Sequence, residues 1–184
     1  MTYRARSWVG TGVIGGVLLG ICAPMAAVTL SPARARAGTG PSPCSAAHTV
    51  IWVGMGGGSG FAGGYGLPLE FSNVGRRSCT LYGYPGVSAD RGTRQVGPAA
   101  TRLQERHSVV TLAAGASAHA FLRVTDTGAL CGGRGATADA LKVYAPGQRS
   151  SQPVLISVQV CPHRATLAVG AVKRGVGIPG YVTQ

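Results

Sequence analysis

The sequence predicts an all-β domain, built as a two-sheet sandwich and stapled by two disulfides. Three observations carry that expectation. From Cys44 onward, short apolar or alternating runs recur between turn residues, the pattern of sandwiches and barrels. No long amphipathic helical period and no internal repeat interrupts them. Cys44, Cys79, Cys131 and Cys161 lie downstream of a segment with the features of an export signal, and an even set in that position reads as a disulfide framework.

The leader occupies residues 1–37. Arg4 and Arg6 precede an uncharged stretch from Ser7 to Ala33 that holds Val13, Ile14, Val17, Leu18, Leu19 and Ile21. Ala33-Arg34-Ala35 and Ala35-Arg36-Ala37 follow as cleavage candidates, which completes the positive, apolar, small-residue order of a secretory signal. The alternative is a retained anchor, since about 20 apolar residues span a bilayer. Gly10, Gly12, Gly15, Gly16, Gly20 and Pro24 dilute the run and favour cleavage. Ile21 is too large to precede a lipid-bearing Cys22, and no adjacent arginine pair marks twin-arginine export. A membrane partner is therefore expected only if the leader is retained. Cleavage after Ala37 leaves residues 38–184, the length of one domain with a core of its own. It also removes Arg4, Arg6, Arg34 and Arg36, lowering the net charge from +12 to +8.

Residues 38–43 read as a short exposed linker, residues 44–172 as the sandwich, and residues 173–184 as a mobile tail with little period. Within the domain, His48 to Val53 is a first strand, followed by a glycine-rich stretch from Gly54 to Gly66. In Leu67-Pro68-Leu69-Glu70-Phe71 the apolar residues share one face and Glu70 looks away. Asn73-Val74-Gly75 supplies a turn before a strand at Cys79 to Leu81. Val87 to Ala89 and Thr93 to Val96 flank Asp90-Arg91-Gly92, a hairpin signal. Pro98 to Glu105 reads as a loop with one helical turn. Val109 to Leu112 and Ala118 to Val124 follow, the second with Ala118, Ala120, Leu122 and Val124 inward and His119, Phe121 and Arg123 on the opposite face. Leu141 to Tyr144, Val154 to Val160 and Thr166 to Val172 complete the set.

The segment Cys79-Thr80-Leu81-Tyr82-Gly83-Tyr84-Pro85-Gly86-Val87-Ser88 resembles the actinobacterial secreted family catalogued as domain of unknown function 4232. Leu69-Glu70-Phe71-Ser72-Asn73, Gly97-Pro98-Ala99, Val110-Thr111-Leu112 with Gly115, and the late Cys131 and Cys161 extend the resemblance over Cys44 to Val172. It implies an immunoglobulin-like sandwich that is exported or lipid-anchored. It brings no catalytic residues to carry over.

Four cysteines allow three connectivities. Cys44–Cys79 and Cys131–Cys161 are preferred because each pairs sequence neighbours beside a glycine-rich loop. Each bridge would close a loop of about 30 to 36 residues, a stabilisation of roughly 3 to 4 kcal/mol. A zinc site is disfavoured because no closely spaced C-x-x-C pair occurs.

Few motifs carry chemistry. Gly58-Ser59-Gly60-Phe61-Ala62-Gly63 matches a dinucleotide fingerprint in letters, yet a strand follows it and no acid lies about 20 residues on. His48, His107, His119 and His163 are present without a Gly-x-Ser-x-Gly elbow, so no catalytic residue is assigned. His119, between two alanines, reads as solvent-facing. Cys161-Pro162-His163 would capture a soft metal only if Cys161 were a free thiol. Tyr82, Tyr84 and Pro85 are either a ring surface for a glycan or protein partner, or a packed turn at the sandwich edge.

All but Lys142 and Lys173 of the 17 basic residues are arginines, scattered without a basic helix or aromatic interleaving. That argues against specific nucleic-acid binding and leaves attraction to an anionic cell envelope. The expectation is an exported, non-enzymatic sandwich that binds or scaffolds at the envelope, with neither cofactor nor metal. The alternatives are a secreted hydrolase built on His119 or His107 with an acid, and a metal-capturing domain at Cys161 and His163.

Overall fold

The computed structural model describes residues 40–55 and 59–178. The leader and Cys22 lie outside the described residues, as do part of the linker, the first residue of the glycine fingerprint and the last residues of the expected tail. Among the described residues no helix is long and apolar enough to cross a membrane.

The described residues are all-β, with thirteen strands, a 3-10 turn at Ala46–His48 and one five-residue α-helix: β1 (Thr49–Val53), β2 (Ser59–Phe61), β3 (Gly64–Asn73), β4 (Cys79–Tyr82), β5 (Gly86–Arg91), β6 (Arg94–Gln95), β7 (Thr101–Arg102), β8 (Val109–Leu112), β9 (Ser117–Thr125), α1 (Thr127–Cys131), β10 (Ala136–Tyr144), β11 (Ser151–Val160), β12 (Leu167–Val169) and β13 (Lys173–Arg174). The larger sheet runs β1-β3-β9-β12-β7, with β2 also on β3 and β13 also on β9. The second sheet runs β11-β10-β5-β6, and β4 with β8 forms a separate ribbon. All pairings are antiparallel except β12 with β7.

Period-2 alternation selects the faces. On β9, Ala118, Ala120, Leu122 and Val124 are buried inward, opposite Phe71, Leu69, Leu67 and Tyr65 of β3. The second sheet contributes Val87, Ala89, Leu141, Val143, Val158 and Val160, and the ribbon contributes Leu81 and Leu112, to one contiguous core. Small Ala118 and Ala120 on β9 beside large Phe71 and Leu69 on β3 give the inner face of this sheet a relief into which side chains of the facing layer fit, which is how interiors reach close packing.

Turn chemistry closes the hairpins. Arg91 pairs with Arg94 across Gly92-Thr93, and Gly92 adopts φ +58°, the left-handed region that glycine enters without steric cost. Both preferred bridges are present, Cys44–Cys79 and Cys131–Cys161. Cys44, Cys79 and Cys161 are buried. The first bridge ties the stretch before β1 to β4, where Pro43 also forms a bridge to Thr80. The second ties the end of α1 to the end of β11. Two such bridges belong to an oxidising, extracytoplasmic setting.

Three details differ from the sequence-based expectation. Thr101–Arg102, within the stretch expected to hold a helical turn, extend as β7 beside β12. A helix forms instead at Thr127–Cys131 and ends on Gly132 in the left-handed conformation. The segment from Lys173, expected within a mobile tail, lies along β9: Lys173 pairs with His119 and Arg174 with Ala118. Backbone groups of Gly175 and Gly177 then bond His119 and Glu70, so polar satisfaction holds this stretch to the sheet.

Candidate functional site

The ribbon strand β4 ends at Tyr82, and Gly83 at φ +91° turns the chain sharply to Tyr84 and Pro85. This turn divides the tyrosine pair into two roles. Tyr84 is half-buried, and its hydroxyl donates to the Glu105 carbonyl (2.6 Å) and accepts from the Glu105 N–H (3.1 Å). It therefore pins the strand-free stretch between β7 and β8, while Pro85 is buried beside it. Tyr82 stays 59% exposed.

The pinned stretch delivers His107 against both rings. The imidazole lies 4.9 Å from the Tyr82 ring in a tilted arrangement and 5.2 Å from the Tyr84 ring edge-on. The Arg102 guanidinium stands 5.6 Å over Tyr84. Val109, the cross-strand partner of Tyr82, is exposed beside it. Tyr82, Gln104, Glu105, Arg106 and His107 border a shallow cavity of about 540 Å³. The one acid there, Glu105, pairs with Lys173 (3.3 Å) and accepts the Ala171 N–H, so the patch is aromatic and cationic. It offers ring faces and arginine forks to a partner that carries apolar or sugar-ring surface with negative charge.

The remaining candidates are dispersed. His119 is half-buried under the Lys173–Ile178 stretch and not solvent-facing, because Gly175 and Gly177 close over it. Its Nδ1 donates to the Gly175 carbonyl at 2.9 Å, since a carbonyl only accepts. Its cross-strand neighbour Glu70 is fully buried and accepts the Gly177 N–H at 2.7 Å through Oε1. Burial raises the Glu70 carboxyl above its ordinary range, opposed by the Gly177 hydrogen bond and by the charge of His119. His48 bonds Ser45 Oγ at 3.1 Å, and His107 Nδ1 approaches only the Glu105 carbonyl. Among the described residues no histidine bonds both a hydroxyl and a carboxylate, the arrangement that a histidine-based hydrolase requires. Cys161 is bonded to Cys131, so it has no thiolate to share with the exposed His163. Among the described residues no three metal-ligating side chains converge.

Residue reading singled out Tyr82, Tyr84 and Pro85, of which only Tyr82 is exposed, and did not foresee His107 and Arg102 beside them. The available signal was the strand at Val109, whose pairing with Tyr82 brings the preceding residues to the tyrosines. A family model described as Domain of unknown function (DUF4232) matches residues 44–173. No curated protein and no solved structure matches the chain.

Proposed function

The chain belongs to the family described as Domain of unknown function (DUF4232), and from that premise we propose that it is an exported, non-enzymatic sandwich module that binds a component of the cell envelope through Tyr82, His107 and their arginine neighbours. The observation that carries this reading is Tyr82. A large ring held 59% in the open and packed at a tilt against an imidazole forms a rigid contact surface with little side-chain entropy left to lose. The leader that reads as a secretory signal and the two disulfides support export. The partner is an anionic envelope component or an envelope protein, in keeping with the basic residues around the rings.

The test is retention of wall, lipid and protein fractions on the immobilised, disulfide-bonded protein. Tyr82→Ala should reduce retention at least about tenfold, the loss expected when an interface loses an aromatic anchor. A Tyr82→Ala protein that retains the same fractions equally well would end the proposal.

A further inference from the structure

A second site stands apart from the Tyr82 patch, where β3 turns into β4. Its frame is Asn73, the last residue of β3, which is 1% exposed. Asn73 Oδ1 accepts the Gly75 N–H at 3.0 Å. Its Nδ2 points at the carbonyls of Arg77 (2.9 Å), Ala113 (3.0 Å) and Leu112 (3.2 Å). The Val74 N–H donates to the His48 carbonyl at 2.9 Å. Two residues beyond Arg77, Cys79 is bonded to Cys44. Both ends of the loop that carries Arg76, Arg77 and Ser78 are thus fixed before any ligand arrives.

That loop faces the stretch before β1 across a half-enclosed cleft of about 470 Å³, lined by Ser42, Ser45, His48, Arg76, Arg77 and Ser78 among others. No acid lines it. Among the described residues, neither guanidinium is paired with a carboxylate. Two arginine forks, three hydroxyls and an imidazole therefore converge with no internal counter-charge. Guanidinium forks match the oxygens of a tetrahedral oxyanion in pairs. Hydroxyls can bond the oxygens that remain. A fixed loop lowers the ordering cost of binding. A cleft of this size also accommodates the group that carries the anion.

We propose that this cleft binds a phosphate group, as a monoester or a phosphodiester. The source is either a soluble phosphate compound or a phosphodiester in an envelope polymer or lipid headgroup.

The experiment is an amide-resolved NMR titration of the purified, disulfide-bonded protein with inorganic phosphate and glycerol 3-phosphate. Vesicles of phosphatidylglycerol, with phosphatidylcholine as the neutral control, are assayed by sedimentation. Saturable shifts should centre on Val74, Gly75, Arg77 and Ser78. Arg76→Gln with Arg77→Gln should weaken binding about tenfold or more, the equivalent of losing one charge-assisted hydrogen bond. Arg94→Gln with Arg164→Gln removes the same charge at residues outside the cleft lining and should leave affinity within about twofold, because salt screens exposed charges that do not touch the ligand. Ser45→Ala supplies a second cleft variant that keeps both charges and should also weaken binding. Soluble ligands binding without vesicles assign a soluble source, and arginine-pair-dependent vesicle binding assigns a headgroup. Equal weakening by both arginine pairs, or no saturable shift at the loop with no arginine-pair-dependent vesicle binding, would overturn the proposal. Tyr82→Ala should leave phosphate affinity unchanged, which separates this site from the aromatic patch.

Discussion

Glu70 sits on β3 between Trp52 of β1 and His119 of β9, fully buried, and its Oε2 has no partner among the described residues. Burial disfavours the carboxylate, so the folded state holds the proton more tightly than the unfolded chain does. The sign of the linkage follows. Glu70 supports the fold fully below its ordinary value of 4.5, and that support is lost as pH rises through the raised folded value. Glu70→Gln keeps an oxygen for the Gly177 N–H and removes the buried charge. The variant should be more stable than the wild type near neutral pH and lose that advantage on acidification, read by urea unfolding from about pH 4 to pH 8. Parallel stability profiles for the two proteins would contradict this. At Asn73, alanine would strand the carbonyls of Arg77, Leu112 and Ala113. The expected loss is about 2 to 3 kcal/mol by urea unfolding, because buried unpaired polar groups carry their full desolvation cost. Tyr84→Phe should lose about 1 kcal/mol through the Glu105 bonds.

Among the elements, β3 and β9 pair along nearly their full lengths and place Gly66 opposite Arg123. A Cβ on Gly66 would collide with the Phe121 ring, so glycine here makes room for an aromatic side chain on the adjoining strand. Gly66→Ala should destabilise by about 1 to 3 kcal/mol, and Gly66→Ala combined with Phe121→Ala should recover part of the loss as the collision disappears. Thermal unfolding of the four proteins forms the cycle. The bridge Cys44–Cys79 spans a sequence separation of 35, so replacing both cysteines by alanine should cost roughly 3 to 4 kcal/mol. Most strand positions were legible before the fold, because alternation over Leu67 to Phe71 and Ala118 to Val124 reports one buried face directly. The short pieces were not. Thr101–Arg102 is too brief to show a period, and its pairing comes from β12, distant in sequence.

For the molecule as a whole, the packed body extends past the boundary expected at Val172. Lys173 and Arg174 pair with β9, and Gly175 and Gly177 close over His119 and Glu70. A chain ending at Val172 should therefore unfold at lower temperature. Glu70→Gln in that shortened chain should have a weaker pH signature, since the carboxylate regains water. Circular dichroism melts of the four combinations check both statements. A shortened chain as stable as the full one would show that this closure adds nothing.

The sequence by itself determined the all-β class, the order of the main strands, and the cysteine set with its preferred pairing. These are local properties, fixed by alternation, turn residues and composition. Tertiary structure alone decided that Tyr82 is exposed while Tyr84 is a tether, that His107 packs against both rings, and that Glu70 is buried on the face away from the core. It also brought His48 to Arg76 and Arg77. Each of these depends on strands and loops far apart in sequence coming to lie side by side, and strand partners are chosen by the burial of whole faces, not by any residue's own preference.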